Sequence, residues 1–414
     1  MHRPGSLHAA GQHEGGQRPA RAGRHGSGGT DRASCIDAAA SRPYDLRVHE
    51  LSPIAERADA PETLPEITAG DLRWRPATID DAPLVTVLTN TMAEADGAPY
   101  RETEDETREE LGAAWRDLEH DTLLGFDAEG ELRAAALVSA FPGDTTTVRA
   151  FAFGGVHPAR RGEGIGREVL AWQLARARQI LAASGKDLPG RIAAYAEDDD
   201  PESKHRLYLH AGLEPRRYFS DLKRPLTGDA PPIPEVALTG SLRLVPFSAE
   251  LDDAARLAHN DAFRDHWGSQ PQTMEQWTNG RSEFAPEWSF VVVDDAPDVD
   301  ALLAHEATDA STRAALESGA PLVVAYALNS RFEADFPVRG YSFGYTGILG
   351  TRRAYRGRKA ALAALAASMR AFADAGMDAA VLDVDTENPS GAHGLYASLG
   401  YVKEHGSRMY SIEL

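Results

Sequence analysis

The chain has 414 residues and a formal net charge of -20, from 63 acidic against 43 basic side chains. That imbalance repels phosphate, which excludes a non-specific nucleic-acid binder and favours small cationic partners such as amines. The length supports two domains with a core each. A single cysteine, Cys35, excludes an internal disulfide.

No Cys/His cluster has metal-ligand spacing, so no metal is expected. Neither a membrane-length apolar run nor a signal-like apolar segment at the N-terminus is present, which gives a cytoplasmic expectation with no membrane partner. Residues 1–66 read as a disordered extension: the first half is rich in Gly, His and Arg and lacks the bulky apolar residues needed to offset ordering entropy. The remainder divides into a first unit at 67–226, a Pro-rich linker at 227–238 and a second unit at 239–414.

In the first unit, Thr122–Phe126 and Leu132–Phe141 flank the turn Ala128-Glu129-Gly130 and predict a hairpin. A strand is expected over 147–156. A helix follows, with Ile165, Val169, Leu170, Leu174, Ala177 and Leu181 at helical spacing. A short strand at Ile192–Ala196 and a helix through Tyr208 complete the unit. The second unit repeats this order, with a strand over Tyr341–Leu349, a helix carrying Leu362, Leu365, Met369 and Phe372, a strand over Ala379–Asp385 and a helix through Tyr396. It carries a helical insertion near Pro297–Ala320.

Three landmarks recur in the same order, which is the signature of duplication. Leu72-Arg73-Trp74-Arg75-Pro76 is echoed by Leu242-Arg243-Leu244-Val245-Pro246. Arg161-Gly162-Glu163-Gly164-Ile165-Gly166 is echoed by Arg356-Gly357-Arg358-Lys359-Ala360-Ala361. Leu207-Tyr208 with Gly212 is echoed by Leu395-Tyr396 with Gly400. The second landmark opens a long helix. Free N–H groups and the helix dipole favour an anion there, and glycines let backbone approach a phosphate. The spacing matches neither a P-loop nor a dinucleotide fingerprint.

Arg-x-x-Gly-x-Gly after a Val-x-Pro strand end, with Leu-Tyr-x-x-x-Gly downstream, resembles the signature of the GNAT superfamily of N-acetyltransferases. The resemblance covers roughly 70–414. It implies a mixed α/β fold with two GNAT domains in tandem, acetyl-CoA as the cofactor, and acyl transfer by direct attack of an amine on the thioester. By similarity, CoA is held by Val156, Arg161, Gly162, Gly164, Ile165 and Gly166 in the first unit. In the second it is held by Ile348, Arg356, Gly357, Arg358, Lys359, Ala360, Ala361 and Asn388. Tyr208 and Tyr396 occupy the place of the acid that protonates the leaving thiolate.

Neither copy is complete. Asp200 stands where the family places an Asn eight residues before the Tyr, whereas the second copy keeps Asn388 but has Lys359 and Ala361 in place of motif glycines. The second copy is favoured as the catalytic one on its pantetheine and leaving-group end. If position 359 needs a positive φ, Lys costs binding there. The general base is unassigned, because neither predicted bulged strand carries a carboxylate. Glu94-Ala95-Asp96-Gly97 and the Asp265-His266 pair beside Trp267 are candidates to line acceptor pockets. Asp383 and Asp385 share a strand face that borders a pocket or meets solvent.

The acceptor expected is a small-molecule primary amine. The tandem arrangement is similar to that of the mycothiol synthases, which adds a cysteinyl amino sugar as an alternative. A different class of reading has one or both units as non-catalytic acyl-CoA-binding modules.

Overall fold

The computed structural model describes residues 51–264, 268–386 and 392–414. Unit one contains strands β1 (Arg73–Arg75), β2 (Thr122–Phe126), β3 (Leu132–Ala140), β4 (Val148–Val156), β5 (Gly190–Glu197) and β6 (Glu214–Pro225). Its helices are α1 (Ile54–Arg57), α2 (Ala82–Ala95), α3 (Glu104–Leu111), α4 (Leu118–Asp121), α5 (Ile165–Ala183) and α6 (Glu202–His210). Unit two contains β7 (Leu242–Pro246), β8 (Phe290–Asp294), β9 (Leu322–Ser330), β10 (Phe343–Thr351), β11 (Ala379–Asp385) and β12 (Val402–Glu413). Its helices are α7 (Asp252–Ala262), α8 (Met274–Thr278), α9 (Val299–Ala304), α10 (Ala310–Ser318), α11 (Phe336–Arg339), α12 (Ala360–Asp374) and α13 (Ala392–Ser398). The helical insertion expected near 297–320 is α9 and α10.

Among the described residues the strands form one twelve-stranded mixed sheet in the order β1-β2-β3-β4-β5-β12-β6-β11-β10-β9-β8-β7. The two parallel pairs, β4 with β5 and β10 with β11, sit at equivalent places in the two units. Between them the units exchange their last strands. β12, at the end of unit two, pairs along the length of β5 from Glu413–Arg191 to Ser407–Glu197. β6, at the end of unit one, pairs with β11 from Ala379–Pro225 to Asp385–Phe219. The repeat in the sequence shows two units; the order of pairing in the sheet makes each of them complete the other.

Helix α5 buries Ile165, Val169, Leu170, Leu174, Ala177 and Leu181, the stripe expected of a surface helix laid on a sheet. Helix α12 is Ala-rich and buried nearly all round, with Ala360, Ala361, Ala364, Leu365, Met369 and Phe372 each at most 3% exposed. A helix apolar on every side belongs inside a core, and covering segments supply the second wall. The linker is one of them: Arg370 of α12 donates to the Pro234 carbonyl at 3.1 Å, and Ile233, Val236 and Leu238 pack on unit two's core. Arg224, 1% exposed, donates to the Leu399 carbonyl at 2.7 Å and to that of Pro231.

The expected disordered extension does not hold for residues 51–66. Ile54 is 1% exposed and Ala58 is fully buried in unit one's core. Arg178 of α5 donates to the Ala58 carbonyl at 2.6 Å. Two small apolar side chains and these backbone acceptors are enough to seat a segment that lacks periodicity.

Candidate active site

The parallel pairing of β4 with β5 runs from Val148–Gly190 to Phe151–Ala193 and stops there, although both strands continue. β4 follows β3, β5 follows β12, and the two diverge. A cleft of about 350 Å³ opens at the divergence, with Gly154, Val156, Gly164, Gly166, Tyr195 and Tyr208 in its walls.

At one end of this cleft lies the start of α5. Its N-cap, Gly164, adopts φ +90 and ψ -13, a left-handed conformation with no side-chain cap on the helix. A residue with a Cβ is strained there. The capping role that Ser or Asp usually performs is left to whatever the amides meet. The dipole of a 19-residue helix adds positive potential at the same point. A Cβ at Gly162 would meet nothing within 4 Å, so the loop is open on its outer side.

Along the floor, Gly154 has φ +110 inside β4. Gln173 of α5, 4% exposed, donates through Nε2 to the Phe153 carbonyl and, at 3.3 Å, to that of Leu137. The strand is thus twisted out of its ladder at Gly154 with no slip in the β3–β4 register. In unit two the equivalent distortion is a true bulge, a register shift between Thr346 and Ile348.

Tyr208 lines the cleft, and its hydroxyl donates to the Tyr195 carbonyl at 3.3 Å. Burial pushes its pKa up, so it stays protonated. Asp200 does not leave bare charge near the cofactor. It is 8% exposed, accepts from the Glu197 amide at 2.7 Å and is paired with Lys204 at 2.6 Å. Arg161, expected at phosphate, is held by Asp96 at 2.5 and 2.9 Å. Asp96 also lines the cleft, so the segment Glu94–Gly97 does reach it.

The second loop repeats the backbone conformation, and its described side chains are tied down. Lys359 caps α12 with φ +60, the left-handed conformation that Gly164 has on α5. A non-glycine residue there carries roughly 1 kcal/mol of strain. Ala360 and Ala361 are buried, and Arg356 donates to the Ala262 carbonyl at 2.8 Å. Arg358 lies over the Tyr355 ring at 4.8 Å. Ile348 lines a separate groove towards unit one.

Tyr396, expected at the leaving group, has an apolar setting among the described residues. It is 3% exposed, belongs to the apolar cluster of Ala361, Leu365 and Leu399, and stacks edge-on to Tyr401 at 5.8 Å. Asp265, His266 and Asn388 lie outside the described residues. Among the described residues no group of three or more His, Cys, Asp or Glu could hold a metal, and no helix is long and apolar enough to cross a membrane.

Comparison with known proteins bears on the fold. The sequence matches no family model and no curated protein sequence. Solved structures do match. A GCN5-related N-acetyltransferase from Sphaerobacter thermophilus superposes with a TM-score of 0.56 at 24% identity, over 85% of this chain and 97% of that one. A tandem GNAT protein from the clavulanic acid biosynthesis pathway gives 0.55 at 16% identity, over 83% and 98%. Saccharomyces cerevisiae N-myristoyltransferase with bound myristoyl-CoA gives 0.55 at 15% identity, over 89% and 85%. Mixed sheet, splayed parallel pair and helix-capping loop define the class: the chain has the GNAT fold, twice over in tandem.

Proposed function

We propose that the protein is an N-acyltransferase that moves an acetyl group from acetyl-CoA to the primary amine of a small molecule, with unit one as the cofactor-binding copy. The observation that carries this is the cleft at the β4–β5 divergence, closed at one end by an uncapped helix start with a left-handed glycine. The α5 amides would take the pyrophosphate. The pantetheine would lie between the diverging strands, and the β4 backbone near the Gly154 distortion would donate to the developing oxyanion. Phe153 and Tyr195 narrow the inner end and stack on Phe151, each with ring centroids 6.4 Å away. That wall favours a short acyl group. Tyr208 would protonate the departing thiolate.

Unit two, with its Tyr buried and its loop tied down, serves as a structural partner in this reading. The catalytic preference drawn from the sequence is therefore reversed. Thiol release from acetyl-CoA in the presence of a panel of primary amines tests the reaction. Tyr208→Phe is expected to lower kcat about 10-fold or more with little change in acetyl-CoA affinity. Tyr396→Phe is expected to leave kcat within about 2-fold. The opposite ranking returns the reaction to unit two.

A further inference from the structure

A second cavity, about 40 Å³, lies where the two units meet. Unit one contributes Tyr100, Glu197 of β5 and Asp221 of β6. Unit two contributes Arg339 of α11, Tyr345 of β10, Asp383 of β11 and Ser407 of β12. The strand exchange brings these residues together. Tyr100 belongs to the walls of both this cavity and the cofactor cleft. On β5, Tyr195 faces the cleft and Glu197 faces the cavity, two residues apart and so on one side of the strand. The cavity therefore adjoins the reacting end of the cleft.

Its chemistry is that of a cation site with acceptors to spare. Asp221 and Asp383 are directly opposite each other across β6 and β11, and burial pushes the Asp383 carboxyl up to about 8, so Asp221 carries the charge of the pair. Arg339 pairs with one oxygen of Asp221 at 2.5 Å, and the Tyr345 hydroxyl donates to Asp383 at 3.1 Å. The other oxygen of Asp221 is buried with no hydrogen-bond partner among the described residues. Glu197, half-buried at the end of β5, lines the same cavity. Ser407, 4% exposed, lines the same wall. An unpaired buried acceptor such as this oxygen of Asp221 is expensive to keep without a donor.

We propose that this cavity between the units receives the ammonium head of the acceptor, a primary aliphatic amine, and that Glu197 removes its proton; the assignment rests on the N-acyltransferase reading above. The ammonium gives H⁺ to the Glu197 carboxylate. The freed nitrogen lone pair forms a bond to the thioester carbonyl carbon. The C–S bond breaks, and the thiolate leaves with the electron pair and takes a proton from Tyr208. The amide nitrogen's remaining excess proton passes to solvent, from which Tyr208 is restored, and Glu197 releases its proton to solvent before the next turnover. Asp221, Asp383 and Ser407 accept hydrogen bonds from the ammonium while it binds. The cavity is small enough to seat a compact ammonium head, and the rest of the molecule extends into the adjoining groove, which shares Phe332 and Tyr345 with the cavity.

Burial pushes the Glu197 carboxyl up to about 7, where a base that must be unprotonated at neutral pH and still hold a proton is best placed. Asp200, Lys204 of α6, Asp221 and Asp383 act on it electrostatically, and Arg339 and His405 line the same cavity.

The test uses the full chain, acetyl-CoA and two probes, 1-aminobutane and 1,4-diaminobutane. Acetyl-CoA affinity is measured by titration and turnover by thiol release. Glu197→Gln is expected to lower kcat at least 100-fold and to flatten the rise of rate with pH near 7, with acetyl-CoA affinity unchanged. Asp221→Asn is expected to raise the amine KM about 10-fold with a smaller effect on kcat. If the wild-type protein turns over either amine and both variants behave as wild type, the acceptor site is elsewhere and the N-acyltransferase reading survives. If acetyl-CoA binds and neither amine reacts, the cavity does not take a primary aliphatic amine. If acetyl-CoA does not bind at all, the reading beneath the proposal fails.

Discussion

Gly154→Ala is expected to destabilise the protein by about 3 kcal/mol or more and to lower acetyl-CoA affinity by at least about 10-fold. A Cβ at this position would collide with the Ala135 carbonyl oxygen on β3 and stand 2.8 Å from its carbon, and φ is +110. Both atoms are backbone in the middle of a sheet, so neither can step aside as a flexible side chain could. The strand would have to rotate the peptide, and Gln173 would lose its bond to the Phe153 carbonyl and keep only the longer one to Leu137. The floor of the cleft changes shape in the same motion. Gly166→Ala is the matched control: a Cβ there meets Val156 at 3.6 Å, an ordinary contact, and unit two carries Ala361 at the same place. Stability of that variant should stay within about 0.5 kcal/mol of wild type. Urea denaturation of the two variants and the parent checks the contrast.

Separating the units should abolish folding of each. A fragment of residues 51–226 keeps β5 and β6 but loses β12, which lies between them. A fragment of residues 227–414 keeps β11 and β12 but loses β6, which lies between those. Each fragment would expose two long rows of unpaired backbone donors and acceptors in the centre of its sheet, a geometry prone to aggregation. Expressed alone, each is expected to be insoluble or to melt without cooperativity. Expressed together, they are expected to co-purify as a one-to-one complex. Either fragment behaving alone as a monomer with a cooperative transition would show that the exchanged strands are dispensable.

Local structure was largely legible from periodicity and turn chemistry. The hairpin β2–β3, strand β11 and helix α5 lie where turn residues, short apolar runs and helical spacing put them; β3 and β11 are buried on both faces, and α5 on one stripe. The two loops were legible as a pair, since glycine marks the positive φ at Gly164; the Lys at 359 hid the same conformation, and only coordinates show that it persists. Strand exchange left no mark in the sequence. A strand's alternation specifies which face is buried and says nothing of its neighbour, so β6 and β12 read as ordinary ends of their own units. The inter-unit cavity was hidden for the same reason: Glu197 appears in sequence as part of the acidic run Glu197–Asp200, and Asp383 as one of two carboxylates on a strand face. Their meeting depends on β12 lying between β5 and β6.

The central claim is that a single cofactor cleft operates, at the start of α5. Calorimetric titration of the full chain with acetyl-CoA tests it most directly. One site per chain is expected, with affinity reduced about 30-fold or more by Gly164→Val, since a β-branched residue is strained at φ +90. Two sites per chain, or one site untouched by that substitution, would contradict it.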